Sequence, residues 1–106
     1  MPAARPPLDA REVDRIEALI AVDDNSKVEE FLSRCAIGSS WRVTVRTALV
    51  SARVLKRFPL GTFDERICTC LQLGLELPVP VEPGLRFKVH APDDPTLTAT
   101  GVVRPW

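Results

Sequence analysis

From Arg66 the chain reads RICTCLQLGLELPVPVEPGLRFKV through to Val89, and LTATGVV follows at Leu97 to Val103. Ile67, Thr69, Leu71, Leu73, Leu75 and Leu77 recur at every second position, the spacing that puts successive strand side chains on one face. A run of that length is long for a strand and suits one that wraps around a closed barrel. Pro78, Pro80 and Pro83 then mark a corner, because proline cannot donate to a central ladder. Alternation resumes with Leu85, Phe87 and Val89 inward and Arg86, Lys88 and His90 outward. The APDDPT segment from Ala91 to Thr96 reads as a loop, and Leu97 to Val103 as the return strand of a hairpin in which Gly101 lets a neighbour come close.

Working upstream, Phe58-Pro59-Leu60-Gly61-Thr62 interrupts the pattern with a proline and a turn-permitting glycine. Before it, WRVTVRTAL places Trp41, Val43, Val45, Thr47 and Leu49 on one face, with Arg42, Thr44 and Arg46 on the other. From Val50 the apolar parity switches to Val50, Ala52 and Val54. The expectation is one strand over 41–57 with a bulge or bend near Leu49 and Val50, a device barrels use at corners.

The first forty residues are more ambiguous. Ile16, Ala18, Ile20 and Val22 alternate as in a strand, while Val13, Ile16 and Ile20 also fit a helical stripe behind Asp9; a strand is the favoured reading. Ser26 with Glu29 three positions on is a capping box, ahead of Val28, Phe31 and Leu32 on one side of a short helix near 26–34.

Several short strands joined by Pro/Gly turns, with no repeated strand-helix-strand unit, indicate an all-β barrel or sandwich. Pro83-Gly84-Leu85-Arg86-Phe87 and Thr98-Ala99-Thr100-Gly101-Val102-Val103, following a long strand and a Pro-rich stretch, resemble the end of the third, β-barrel domain of elongation factor Tu. The resemblance covers residues 14–106 and is carried by the C-terminal forty or so; between the family's first two strands this chain has the helix at 26–34 instead. It implies a single closed antiparallel Greek-key β-barrel of about six strands. That domain would occupy 9–106, after a disordered leader at 1–8 signalled by Pro2, Pro6 and Pro7. It also implies a binding surface, since in elongation factor Tu-like proteins this domain packs against the nucleotide domain, contacts the stem of the transfer RNA and receives the exchange factor.

A chain of 106 residues, 45% apolar and 26% charged, suits one soluble domain. It holds no apolar run approaching the roughly 18 residues of a membrane span. MPAARPPLD lacks the apolar stretch of a secretory signal, so a cytoplasmic location is expected. The cysteines, Cys35, Cys68 and Cys70, are odd in number and read as reduced thiols. Cys68 and Cys70 share one side of a strand, but with His90 alone they lack the spacing and fourth ligand of a zinc site, so no metal or cofactor is expected.

The catalytic readings are weak. Gly38, Gly61, Gly74, Gly84 and Gly101 are isolated, and no G-x-x-x-x-G-K-[ST] loop exists to cradle a nucleoside triphosphate. Beside His90, the available nucleophiles Cys68, Cys70, Ser51 and Thr100 come with no G-x-S-x-G elbow or cysteine-protease signature. The pairs Asp23-Asp24, Glu29-Glu30, Asp64-Glu65 and Asp93-Asp94 are sequence neighbours whose side chains diverge, as in turns. The expectation is a protein with no enzymatic activity.

The net charge of zero hides a block structure. Residues 1–30 carry eight acids against four bases, and residues 31–60 carry six bases with no acid. Arg42 and Arg46, about 13 Å apart at 3.3 Å per residue, would share the outward face of one strand. Arg53 and Arg57 would continue the strip past the bend, and Arg86 and Lys88 face outward elsewhere. These six are the candidate partner-binding residues, fit for phosphates or an acidic protein surface; a solvated strand face balanced by the acidic segment is the plainer alternative. Two functions follow: a translation-factor-like module that binds structured RNA or a partner GTPase, or a barrel that associates with itself. Trp41 and Trp106 bear on the choice, because an exposed tryptophan is a contact residue and a buried one closes the barrel.

Overall fold

Alternation translates into six strands: β1 (Arg11–Val22), β2 (Ser40–Val45), β3 (Ala48–Phe63), β4 (Arg66–Val81), β5 (Arg86–Ala91) and β6 (Asp94–Val103). Between β1 and β2 lie a 3-10 turn at Asn25–Lys27 and helix α1 (Val28–Arg34). The computed structural model describes residues 11–63 and 66–105, except the side chains of 59–63 and 66–68; the expected leader and Trp106 lie outside the described residues. The strands close in the order β1-β4-β3-β2-β5-β6, all antiparallel, with β6 returning to β1. β2, β3 and β4 are sequential neighbours, and β5 crosses to lie beside β2, which is a Greek key.

β1 is a strand rather than a helix: it pairs with β4 from Arg11 to Ala21 and buries Ile16, Ala18, Ile20 and Val22. Leu71, Leu73, Leu75 and Phe87 meet them inside the barrel. One end is closed by α1, whose fully buried Phe31 stacks tilted on Trp41 with ring centroids 4.6 Å apart. Trp41 is therefore a closing residue, and its indole N–H donates to the Ser39 hydroxyl at 3.0 Å. The helix cap differs from the expected one. Asp24, at the exit of β1, accepts from the Ser26 amide at 3.0 Å and from its hydroxyl at 2.7 Å, so the carboxylate caps the 3-10 turn with Ser26 as donor, and α1 follows behind Lys27 with no side-chain cap.

The expected single strand over 41–57 is two strands. Val45 pairs with Ala48, leaving Arg46 and Thr47 as a two-residue hairpin loop with Arg46 at φ 55°. Val43 faces Val50 and Trp41 faces Ala52, so odd inward positions on β2 meet even ones on β3. The parity switch was real, and a reversal of the chain produces it. Leu49, opposite Thr44, points out and is 57% exposed. A second difference lies in β4, which does not end at Leu77. Arg15 pairs with Gly74 but Val13 pairs with Val79, so β4 bulges between them, throwing Leu77 out and returning Val79 and Val81 to the core. Pro78 and Pro80 lie within the strand rather than at a corner.

Gly101 sits directly across from Phe87, and a Cβ built on it would clash with the ring at 2.3 Å from Phe87 Cζ. The aromatic covers the glycine backbone across the strands, which pins the β5–β6 register.

Candidate functional site

On the outer surface, cross-strand pairing decides which charged groups are neighbours. Arg53 on β3 faces Ser40 on β2; Arg42 on β2 faces Ser51 on β3 and His90 on β5; Thr44 faces Lys88 on β5. Arg53, Arg42 and Lys88 therefore form a diagonal across three strands, with Arg86 two residues farther along β5. Each diagonal step spans about 7–8 Å. Arg42, Arg53 and Arg86 are exposed, and among the described residues none has a hydrogen-bond or ion-pair partner.

The other candidates are engaged to different degrees. Lys88 Nζ donates to Thr100 Oγ1 at 2.8 Å and to Asp23 Oδ2 at 3.2 Å, yet its side chain stays 61% exposed. Asp23 also accepts from the hydroxyls of Thr98 and Thr100, each at 2.8 Å. Desolvation raises the Asp23 pKa, but the hydrogen bonds from Thr100, Thr98 and Lys88 outweigh it and hold the carboxyl below its ordinary value. Arg46 is displaced from the expected strip: it lies on the hairpin loop and donates to both Glu82 carboxylate oxygens at 2.8 and 2.7 Å. Arg57 donates to the Leu32 carbonyl at 3.0 Å, tying β3 to the last turn of α1. The same-strand strip is thus replaced by a diagonal track, with Arg46 beside it and Arg57 on the helix-capped end. Thr44, Arg46, Arg86, Phe87, Lys88 and Thr100 line a shallow depression at its β5 end. Sequence reasoning missed Thr44, Thr100, Asp23 and Glu82 as neighbours of these bases, since no local pattern signals a partner 77 positions away, the separation of Asp23 from Thr100.

The cysteines and histidine are dispersed. Cys35 is buried, and desolvation pushes its thiol up to about 12 despite the opposing field of Arg57. Cys70 Sγ receives a contact from Arg104 at 3.5 Å, and the Cys68 side chain lies outside the described residues. His90 is half-buried between Arg42 and Thr98. Among the described residues no three His, Cys, Asp or Glu side chains gather as metal ligands would, and no helix is long and apolar enough to cross a membrane.

The chain matches no protein-family model and no curated protein sequence. It is similar in structure to the translation elongation factor SelB from Methanococcus maripaludis, in its apo form, with a TM-score of 0.67 and 19% identity over 91% of this chain. The barrel has a translation-factor fold. The likeness to the third domain of elongation factor Tu, carried in the sequence by the GLRF and TATGVV strands, holds as a likeness of architecture. The chain spans 23% of the length of that SelB structure, so what the two share is the barrel.

Proposed function

We propose that this barrel is a non-catalytic binding module that holds the phosphate backbone of a structured RNA along the diagonal Arg53–Arg42–Lys88 and onward to Arg86. The observation that carries the reading is the one in the register: three exposed arginines without partners among the described residues, drawn from β3, β2 and β5, fall in line with Lys88. Guanidinium groups on a rigid sheet suit phosphate oxygens, and such contacts position a duplex without reading its bases. The translation-factor fold supports a ligand of this kind. Catalysis is not part of the proposal. Thr100 is the hydroxyl that a carboxylate and an ammonium both touch, and a carboxyl held below its ordinary value, as Asp23 is, makes a weak base. Any nucleotide chemistry in which the module takes part is supplied by another chain, and the cytoplasm is the compartment proposed for it.

The test is fluorescence anisotropy with a labelled RNA hairpin across a salt series. Binding through about three or four phosphates gives a log–log slope with salt of about −2 to −4. Arg42→Glu with Arg86→Glu should abolish it while the thermal midpoint stays within a few degrees, because both side chains are exposed. RNA binding that survives the double reversal, or none to any hairpin at low salt, refutes the reading and turns attention to a partner GTPase.

A further inference from the structure

The barrel is split at one end, and the split has the chemistry of a docking site. β3 and β4 are paired only from Ala52 and Leu75 inward, although β3 begins at Ala48 and β4 continues to Val81. Beyond that pair, among the described residues, Ala48–Ser51 is bonded to β2 alone and Val79–Val81 to β1 alone. The cause is in the sequence: Pro78 and Pro80 give β4 no donors with which to continue the β3 ladder. Among the described residues a strand segment of β3 is left with a free edge, which natural sheets otherwise cover or blunt. It is flanked by two of the exposed large apolar side chains, Leu49 at 57% and Leu77 at 61%. Where the ladder closes, the split runs into a cleft of about 430 Å³ lined by Ser40, Ser51, Arg53, Leu55, Gly74 and Glu76. Leu55 lies over Gly74, its methyl carbons 3.1 and 3.3 Å from where a Cβ would stand, so glycine lets Leu55 pack down onto the β4 backbone as the cleft floor.

We propose that this split binds the C-terminal segment of a partner protein as an added strand. Extended backbone would pair with β3 at Ala48–Ser51, and apolar side chains would rest on Leu49 and Leu77. A terminus fits better than a through-running strand, because the closed ladder at Ala52 and Leu75 blocks any continuation. A carboxylate fits better than an ammonium at that end: Arg53 and two serine hydroxyls offer donors, against the single carboxylate of Glu76. Glu76 instead favours a basic side chain just before the terminus. Arg53 is shared with the RNA track, whereas Leu49, Leu77 and Glu76 belong to the split alone, so the two readings are tested separately.

The probe is an N-acetylated peptide of alternating valine and lysine ending in leucine with a free carboxylate, titrated against the nitrogen-15-labelled protein. Saturating amide shifts should be confined to residues 47–53 and 74–77, and amidating the peptide terminus should weaken binding about tenfold or more through the lost charge-assisted hydrogen bonds. Leu49→Asp and Leu77→Asp should each abolish the shifts; both residues are exposed, so the fold tolerates them. Arg86→Glu, on β5 and separated from β3 by β2, should leave the peptide affinity unchanged. No saturable shift, equal binding of acid and amide, tighter binding of a free N-terminus, or shifts on another face would each overturn the proposal.

Discussion

Replacing Phe87 with alanine removes a side chain that is 3% exposed and covers Gly101 across the β5–β6 ladder. Truncating a buried phenylalanine costs about 3–5 kcal/mol. The informative measurement is the cycle with Gly101→Ala. In the wild-type background the new methyl group would stand 2.3–2.7 Å from three Phe87 ring carbons, closer than real contacts allow. Overpacking of that kind costs about 1–3 kcal/mol. With the ring gone the methyl group finds open space, and a glycine-to-alanine change in a strand then gains about 0.4–1 kcal/mol by restricting the unfolded chain. The sign of the Gly101 substitution should reverse between backgrounds, a coupling of about 1.5 kcal/mol or more. Urea unfolding followed by tryptophan fluorescence reports both terms, since Trp41 is buried in the same core. Where the alanine variant is too unstable to fit, Phe87→Leu removes the ring and preserves the sign of the argument. Additivity within about 0.5 kcal/mol, or a loss below about 1 kcal/mol for Phe87→Ala, would refute the placement of the ring.

Asp23→Asn should destabilise the protein by about 1–2 kcal/mol at neutral pH, since it weakens charge-assisted bonds from Lys88 and two threonines. The folded carboxyl titrates below its ordinary value of 3.8, so this contribution is full above that value and is lost as pH falls through the folded pKa; a gap between variant and wild type that persists in strong acid contradicts it. Arg46→Gly relieves a left-handed φ of 55° while surrendering the Glu82 ion pair; because an exposed pair is worth about 0–1 kcal/mol and left-handed backbone costs a non-glycine residue about 1–2, the thermal midpoint should hold or rise, and a clear fall would show that the pair dominates. The Cys35 thiol, pushed up to about 12, should resist alkylation at pH 8 until the protein unfolds; mapped modification of native protein at Cys35 would show that the end closed by α1 opens readily.

Strand existence and facing were legible because burial imposes a period of two. Leu71, Leu73, Leu75, Phe87, Val89, Ile16 and Ile20 all point where alternation puts them. The β4–β5 and β5–β6 reversals were legible because Pro83-Gly84 and Pro92 mark them, whereas Pro59 and Gly61, read as a turn, lie within β3 at a register shift and the chain reverses only after Phe63. At the β2–β3 hairpin the loop is Arg46 and Thr47, and without a glycine or asparagine the positive φ leaves no trace in the sequence. A two-residue reversal preserves alternation and inverts its parity, which is also the signature of a bulge. The prolines misled in the opposite direction: Pro78 and Pro80 read as a corner, but a strand paired on one side only tolerates them.

The candidate site was harder to read than the fold for a related reason. Charge density along the chain is one-dimensional, whereas a binding face is set by cross-strand neighbours. Of the six bases in residues 31–60, Arg34 pairs with Asp93, Arg46 with Glu82, and Arg57 bonds the Leu32 carbonyl. Those partners come from remote or separately folded segments, and they convert half of the basic block into fastenings for the helix and the hairpin. Arg86, from outside the block, joins the face because β5 crosses the barrel to pair with β2 over Arg42–Thr44. That seam has three residue pairs, and it alone brings Lys88 and Arg86 beside Arg42. The topology that makes the barrel a Greek key is therefore also what assembles its basic track, so a change that loosened the β2–β5 seam would disperse the site before it unfolded the core.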